Sequence, residues 1–202
     1  MSGTFLRAPG PDSAGLRIGL LGGSFNPAHQ GHLYVSRVAL KQLGLDYVWW
    51  LVSPQNPLKP SAGMAPMAIR AAQARKVAAH PRIRVTTIEA GLGTRFTVDT
   101  VAALRRRFPH LDFAWLMGSD NLEQFRRWRR WPDIAAQVPI AVIARPGTVL
   151  ASLCSVAVQR FGRLPAGSGL WDREPPAIAI IDGPRDPSSS TAIREFGAPD
   201  AV

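Results

Sequence analysis

The chain has 202 residues, 46% of them hydrophobic, which suits one domain with a sizeable core. No stretch is apolar enough to span a bilayer or act as a signal peptide, and a single cysteine, Cys154, excludes an intrachain disulfide and a cysteine-based zinc cluster. Net charge is +10, carried mostly by arginine, whose planar fork matches phosphate oxygens, so nucleic acid or small polyphosphates are the partner classes this balance suggests. The low cysteine content fits a reducing cytoplasm, which is the expected location.

In chain order, residues 1–15 are rich in Gly and Pro and read as a disordered tail ahead of a single domain over residues 16–202. Six apolar runs have strand length and buried character: Leu16–Leu21, Tyr47–Ser53, Ile83–Glu89, Phe113–Gly118, Ile140–Arg145 and Ala177–Asp182. Helical spacing appears between them. His32–Leu43 turns Val35, Val38, Ala39 and Leu43 inward, Pro66–Ala79 turns Ile69, Ala72 and Val77, and Thr97–Arg107 turns Val98, Val101, Ala102 and Leu104. This alternation predicts right-handed βαβ crossovers and an α/β fold with a doubly wound, mostly parallel sheet. Two long loops, 54–66 and 161–176, exceed ordinary connector length.

Ligands of such sheets bind beyond the carboxyl ends of the strands. The residues there are Gly22 to Asn26 after the first strand, Pro54 to Lys59 after the second, Gly118 to Asp120 after the fourth, Arg145 to Gly147 after the fifth, and Pro187 to Thr191 after the last. Glycines, short hydroxyls, one carboxylate and several cations make a set suited to phosphate and ribose. The first of these loops continues into His29 and His32, whose i, i+3 spacing puts both on one face of a new helix. There they can donate to phosphate oxygens beside the positive end of the helix dipole, or one can cap the helix while the other packs. Two histidines alone supply too few ligands for a metal site. "SSSTAIRE" reads as a second helix start, with Arg194 three residues after Thr191; an ordinary hydroxyl cap is the plainer reading. In "LEQFRRWRRW" the aromatics Phe125, Trp128 and Trp131 alternate with arginines, which fits core packing, stacking on one flat ligand ring, or single-stranded nucleic acid.

The stretch "GGSFNPAHQGHL" resembles the HxGH signature of α/β nucleotidyltransferases, and its GGSFNPxHxGH form is similar to nicotinate-nucleotide adenylyltransferases. The likeness runs from Arg17 to Arg194 through "PQNPLK", "RFTVDTVAALRRRFP", "LMGSDNLEQFRRWRRW", "VIARPG" and "SSSTAIR". It implies a Rossmann-like nucleotidyltransferase fold and adenylyl transfer from ATP to nicotinate mononucleotide, giving deamido-NAD and pyrophosphate, a step of NAD biosynthesis. It implies direct attack of the mononucleotide phosphate on the α-phosphorus of ATP, with Mg2+ bridging the phosphates and no metal ligands from the protein.

The resemblance assigns His29 and His32 to the ATP phosphates as catalytic groups, with Arg194. Gly22, Gly23, Ser24 and Phe25 would line the nucleotide. Gly118 and Asp120 would meet the ribose, Arg145 the ATP side, and Ser190 and Thr191 the β- and γ-phosphates. Thr97 and Trp128 match the positions that hold the nicotinate carboxylate and stack on its ring, with Asn26 and Lys59 on the same mononucleotide side. ATP and nicotinate mononucleotide are the partners implied; no nucleic acid or membrane is expected. Asn26 stands where many members carry aspartate, and the chain closes soon after Arg194, where many continue with a short helical tail. Two alternatives stay open: a phosphopantetheine adenylyltransferase-like enzyme, and a non-catalytic, basic nucleic-acid-binding protein.

Overall fold

A computed structural model describes residues 7–54, 63–144, 152–164 and 169–182. Its centre is a sheet of six strands: β1 (Arg17–Gly23), β2 (Tyr47–Val52), β3 (Ile83–Thr86), β4 (Asp112–Gly118), β5 (Ile140–Ala144) and β6 (Ile178–Asp182). Every pairing is parallel and the spatial order is β3-β2-β1-β4-β5-β6. All six strands expected from the apolar runs are present. The order reverses direction at β1, whose neighbours are β2 on one side and β4 on the other, so a crevice opens at the carboxyl ends of β1 and β4.

Helices α1 (Gln30–Gln42), α2 (Met67–Val77), α3 (Ile88–Leu92), α4 (Thr97–Arg107), α5 (Ser119–Phe125), α6 (Trp131–Gln137) and α7 (Val156–Phe161) cover the sheet. Strand side chains alternate between two cores. Ile18, Leu20, Trp49, Leu51 and Trp115 face the core that takes Val98, Val101 and Leu104 of α4, Leu122 and Phe125 of α5, and Ile134 of α6. Leu21, Val48, Trp50 and Leu116 face the core that takes Val35, Val38 and Ala39 of α1 with Ala71 and Ala74 of α2. Gly19 is required by that second packing, because a Cβ there would lie 2.6 Å from Leu116 and 2.7 Å from Leu45.

Two expectations change. The third strand stops at Thr86, not Glu89, since Thr86 Oγ1 accepts the Ile88 N–H at 3.1 Å and starts a helical turn. On α2 the buried residues are Arg70, Ala71 and Ala74, while Ile69 is 49% exposed and Ala72 is exposed. The reason is Arg70: its guanidinium finds four backbone carbonyls beneath the helix, and satisfying them sets the helix's rotation. The Gly/Pro-rich segment before β1, expected as a disordered tail, carries no helix or strand in its described part, residues 7–15. It is tied down by Gly15 N–H donating to the His110 carbonyl and by an Asp12–His110 pair. Among the described residues no helix is long and apolar enough to cross a membrane.

Candidate active site

A cleft of about 530 Å³ lies at the β1/β4 switch point. One end is built by Leu21 to Pro27 with His29 and His32, and the other by Phe96, Thr97, Trp115 and Trp128. The sequence placed the first end after a strand and the resemblance supplied Thr97 and Trp128 at the other, and the topology brings the two together.

The loop after β1 is held from behind. The Gly23 carbonyl accepts Ser53 N–H (3.0 Å) and Ser53 Oγ (3.2 Å). The Ser24 carbonyl accepts from Arg70 Nη1, which also donates to the Ser53 carbonyl (3.0 Å), while Nη2 donates to Pro54 O (3.1 Å) and Nε to Ala65 O (2.8 Å). Asn26 donates through Nδ2 to Gly63 O and accepts Ala65 N–H at Oδ1, both at 3.2 Å. These bonds draw the carbonyls of Gly23 and Ser24 toward β2 and α2. Arg70 is 1% exposed and makes no ion pair among the described residues, so it sets a buried positive charge, held by carbonyl dipoles, behind the loop. Desolvation lowers its pKa, though a guanidinium stays charged at neutral pH.

Gly22 faces the Trp115 ring, which a Cβ would meet at 2.6 Å, so this glycine lets the indole pass beneath the loop as part of the cleft wall. Phe25 takes φ +48, a costly conformation for a bulky residue, and its ring is buried against Trp50 (5.0 Å, stacked) and His32 (4.7 Å). That packing compensates the strained turn that delivers the chain into α1.

His29 is the N-cap of α1, with Nδ1 accepting Gly31 N–H at 3.1 Å. His32 Nδ1 in turn accepts His29 N–H at 3.2 Å, closing a capping box made of imidazoles. The ring centroids are 3.9 Å apart. With both Nδ1 atoms accepting, the neutral rings carry their protons on Nε2, which makes each Nε2 a donor. Capping, packing and a place in the cleft wall therefore coexist in these two residues: both line the cleft, and His32 also packs on Phe25 and Trp50.

At the other end, Thr97 is the first residue of α4 and Phe96 its N-cap. Trp128 follows α5 and is held edge-on by Trp115 (5.9 Å) and Phe125 (5.4 Å), with the ring half-buried in the cleft wall. Phe125 is fully buried, and Trp131 stands edge-on to Phe125 and Phe161. Of the three aromatics in the Arg/Trp-rich segment, only Trp128 reaches the cleft. Asp120 also lines the cleft; Gly118 is buried, and a Cβ there would strike Asp120 Oδ1 at 2.5 Å. Lys59, Arg145, Ser190, Thr191 and Arg194 lie outside the described residues.

Sequence reading missed Glu89, Arg95, Phe96, Asn121 and Gln124 as cleft residues. Glu89 had one available signal, a carboxylate closing an apolar run. It is 6% exposed and accepts at Oε1 from Thr100 Oγ1 (3.0 Å), which shares a second bond with Thr94 Oγ1 (2.9 Å). Burial pushes its carboxyl up to about 7, with the Thr100 hydrogen bond pulling the other way. No cluster of three or more potential metal-binding side chains occurs among the described residues.

Comparison with known proteins identifies the family and the fold. The cytidylyltransferase-like family model matches residues 20–196. A protein of Parvibaculum lavamentivorans named a probable nicotinate-nucleotide adenylyltransferase is 55% identical over 187 residues, covering 91% of this chain and 93% of its own. A protein of Cereibacter sphaeroides with the same name is 53% identical, covering 89% and 97%. Among solved structures, the Plasmodium falciparum nicotinic acid mononucleotide adenylyltransferase complexed with NaAD superposes with a TM-score of 0.62 at 15% identity, over 85% of this chain and 77% of that one, a likeness of fold.

Proposed function

The chain belongs to the nicotinate-nucleotide adenylyltransferases, and from that premise we propose how the cleft carries out the reaction. The enzyme transfers the adenylyl group of ATP to nicotinate mononucleotide, giving deamido-NAD and pyrophosphate in NAD biosynthesis. The observation that carries the proposal is the histidine pair, two imidazoles 3.9 Å apart at the end of the clamped glycine loop, with both Nδ1 atoms occupied as acceptors.

ATP lies with its triphosphate against Gly22 to Phe25 and the start of α1. The positive end of the α1 dipole and the buried Arg70 charge both favour an anion there. His29 and His32 donate from Nε2 to phosphate oxygens, and they donate more strongly as charge builds during transfer. The mononucleotide's 5′-phosphate oxygen attacks the α-phosphorus, the bond to the bridging oxygen of the β-phosphate breaks, and pyrophosphate leaves with the electron pair. Such a step asks for alignment and charge stabilisation and for no protein nucleophile. The pyridine ring stacks on Trp128 with Thr97 at its substituent, Asn26 and Lys59 serve the mononucleotide side, and Asp120 meets a ribose hydroxyl. Arg145, Ser190, Thr191 and Arg194 complete the phosphate contacts. Mg2+ enters on the triphosphate as part of the substrate, offsetting charge on the leaving pyrophosphate. A cytoplasmic setting follows from the low cysteine content and the metabolic substrates.

Purified protein given MgATP is expected to release pyrophosphate with nicotinate mononucleotide and not with phosphopantetheine. Turnover of phosphopantetheine alone would move the assignment to that related activity.

A further inference from the structure

We propose that the Arg129 guanidinium, seated on the Phe96 ring at the aromatic end of the cleft, selects a pyridine mononucleotide with a ring carboxylate over one with a neutral ring amide. This rests on the adenylyl-transfer reading above and extends it to a residue that reading leaves without a role.

Thr97 and Trp128 cannot discriminate well on their own. A hydroxyl donates to a carboxylate oxygen or an amide oxygen alike, and an indole stacks on either ring. The two substrates differ by one negative charge, so selection needs a fixed positive charge near the ring substituent. Three arginines line the cleft, Arg95, Arg127 and Arg129. Arg129 is the sequence neighbour of Trp128, and its Cζ lies 4.5 Å from the Phe96 ring centroid, a contact that holds the guanidinium against the aromatic end of the cleft. Among the described residues no carboxylate pairs with it. Two acidic side chains line the cleft, Glu89 and Asp120, and burial keeps the proton on Glu89 up to about pH 7, which weakens the opposing field. The start of α4, whose N-cap Phe96 has no side-chain acceptor for the first-turn N–H groups, adds positive potential on the same side. A carboxylate entering beside Trp128 meets this charge; an amide gains far less from it.

The test is kcat/KM for nicotinate and for nicotinamide mononucleotide, with MgATP, in the wild type, Arg129→Gln and Arg129→Lys. Melting temperature and KM for ATP serve as controls; the side chain is exposed, so folding is expected to survive. The preference for the acid is expected to fall about tenfold or more in Arg129→Gln, chiefly through KM for the acid, and to be largely kept in Arg129→Lys. An unchanged preference, or equal losses on both substrates, overturns the inference alone. A wild type that turns over neither mononucleotide overturns the adenylyl-transfer reading, and this inference with it.

Discussion

In the proposed reaction, each histidine of the pair serves local structure and chemistry together. His29 and His32 close the cap of α1 through Nδ1, which leaves Nε2 as the protonated nitrogen of each neutral ring. His32→Ala is therefore expected to lower kcat by about 10² to 10³ while the melting temperature moves only by the value of a cap, on the order of 1 kcal/mol. Steady-state pyrophosphate release read beside a thermal melt checks this; near wild-type turnover would remove the phosphate role. Glu89 makes a separate prediction in stability. Its folded carboxyl holds a proton to about pH 7, whereas the unfolded one releases it near the ordinary value of 4.5. The folded chain thus binds the extra proton across that window, and stability falls as pH rises from 4.5 to about 7, by on the order of 3 kcal/mol. In Glu89→Gln this part of the pH dependence is expected to vanish, as chemical denaturation at several pH values would show. Equal slopes in both proteins would mean that the carboxyl titrates normally.

At the scale of elements, the loop after β1 depends on α2. Arg70 reaches from that helix to carbonyls of Ala65, Ser24, Ser53 and Pro54, so the glycine loop, the end of β2 and the start of α2 form one unit. Arg70→Met removes the donor from four carbonyls, one buried and three part-buried, and is expected to cost about 3 to 5 kcal/mol, a drop in melting temperature of about 10 °C. KM for ATP is expected to rise in the same variant, measured below its transition; a variant that melts like the wild type would contradict the clamp. The strands were legible because buried parallel strands are nearly continuous runs of Val, Ile, Leu and Trp, and α4 because Val98, Val101 and Leu104 recur at helical spacing. The face of α2 was not legible. Ile69 is the more apolar residue, yet Arg70 is the buried one, because its partners lie up to 46 positions away and no local period encodes them.

Over the whole molecule, the order β3-β2-β1-β4-β5-β6 places the ends of β1 and β4 side by side, and that adjacency makes one cleft of segments more than ninety residues apart. The motif "GGSFNPAHQGH" announced the glycine-and-histidine end of the cleft because its residues are contiguous. The aromatic end was legible only in part: Thr97 and Trp128 came from resemblance, while Glu89, Arg95 and Phe96 enter through the packing of α3 and α4 against the sheet. The positive charge also has a destination at this scale. Arg70 lies behind the loop, the α1 dipole points at the same place, and Arg95, Arg127 and Arg129 edge the far wall, so the cleft attracts two phosphorylated substrates. The most direct measurement is a crystal structure of the protein soaked with a non-hydrolysable ATP analogue and Mg2+. We predict the Nε2 atoms of His29 and His32 within about 3 Å of triphosphate oxygens, with the loop from Gly22 to Phe25 unmoved. A triphosphate bound elsewhere, with both imidazoles making no contact to it, would contradict the role assigned to the pair.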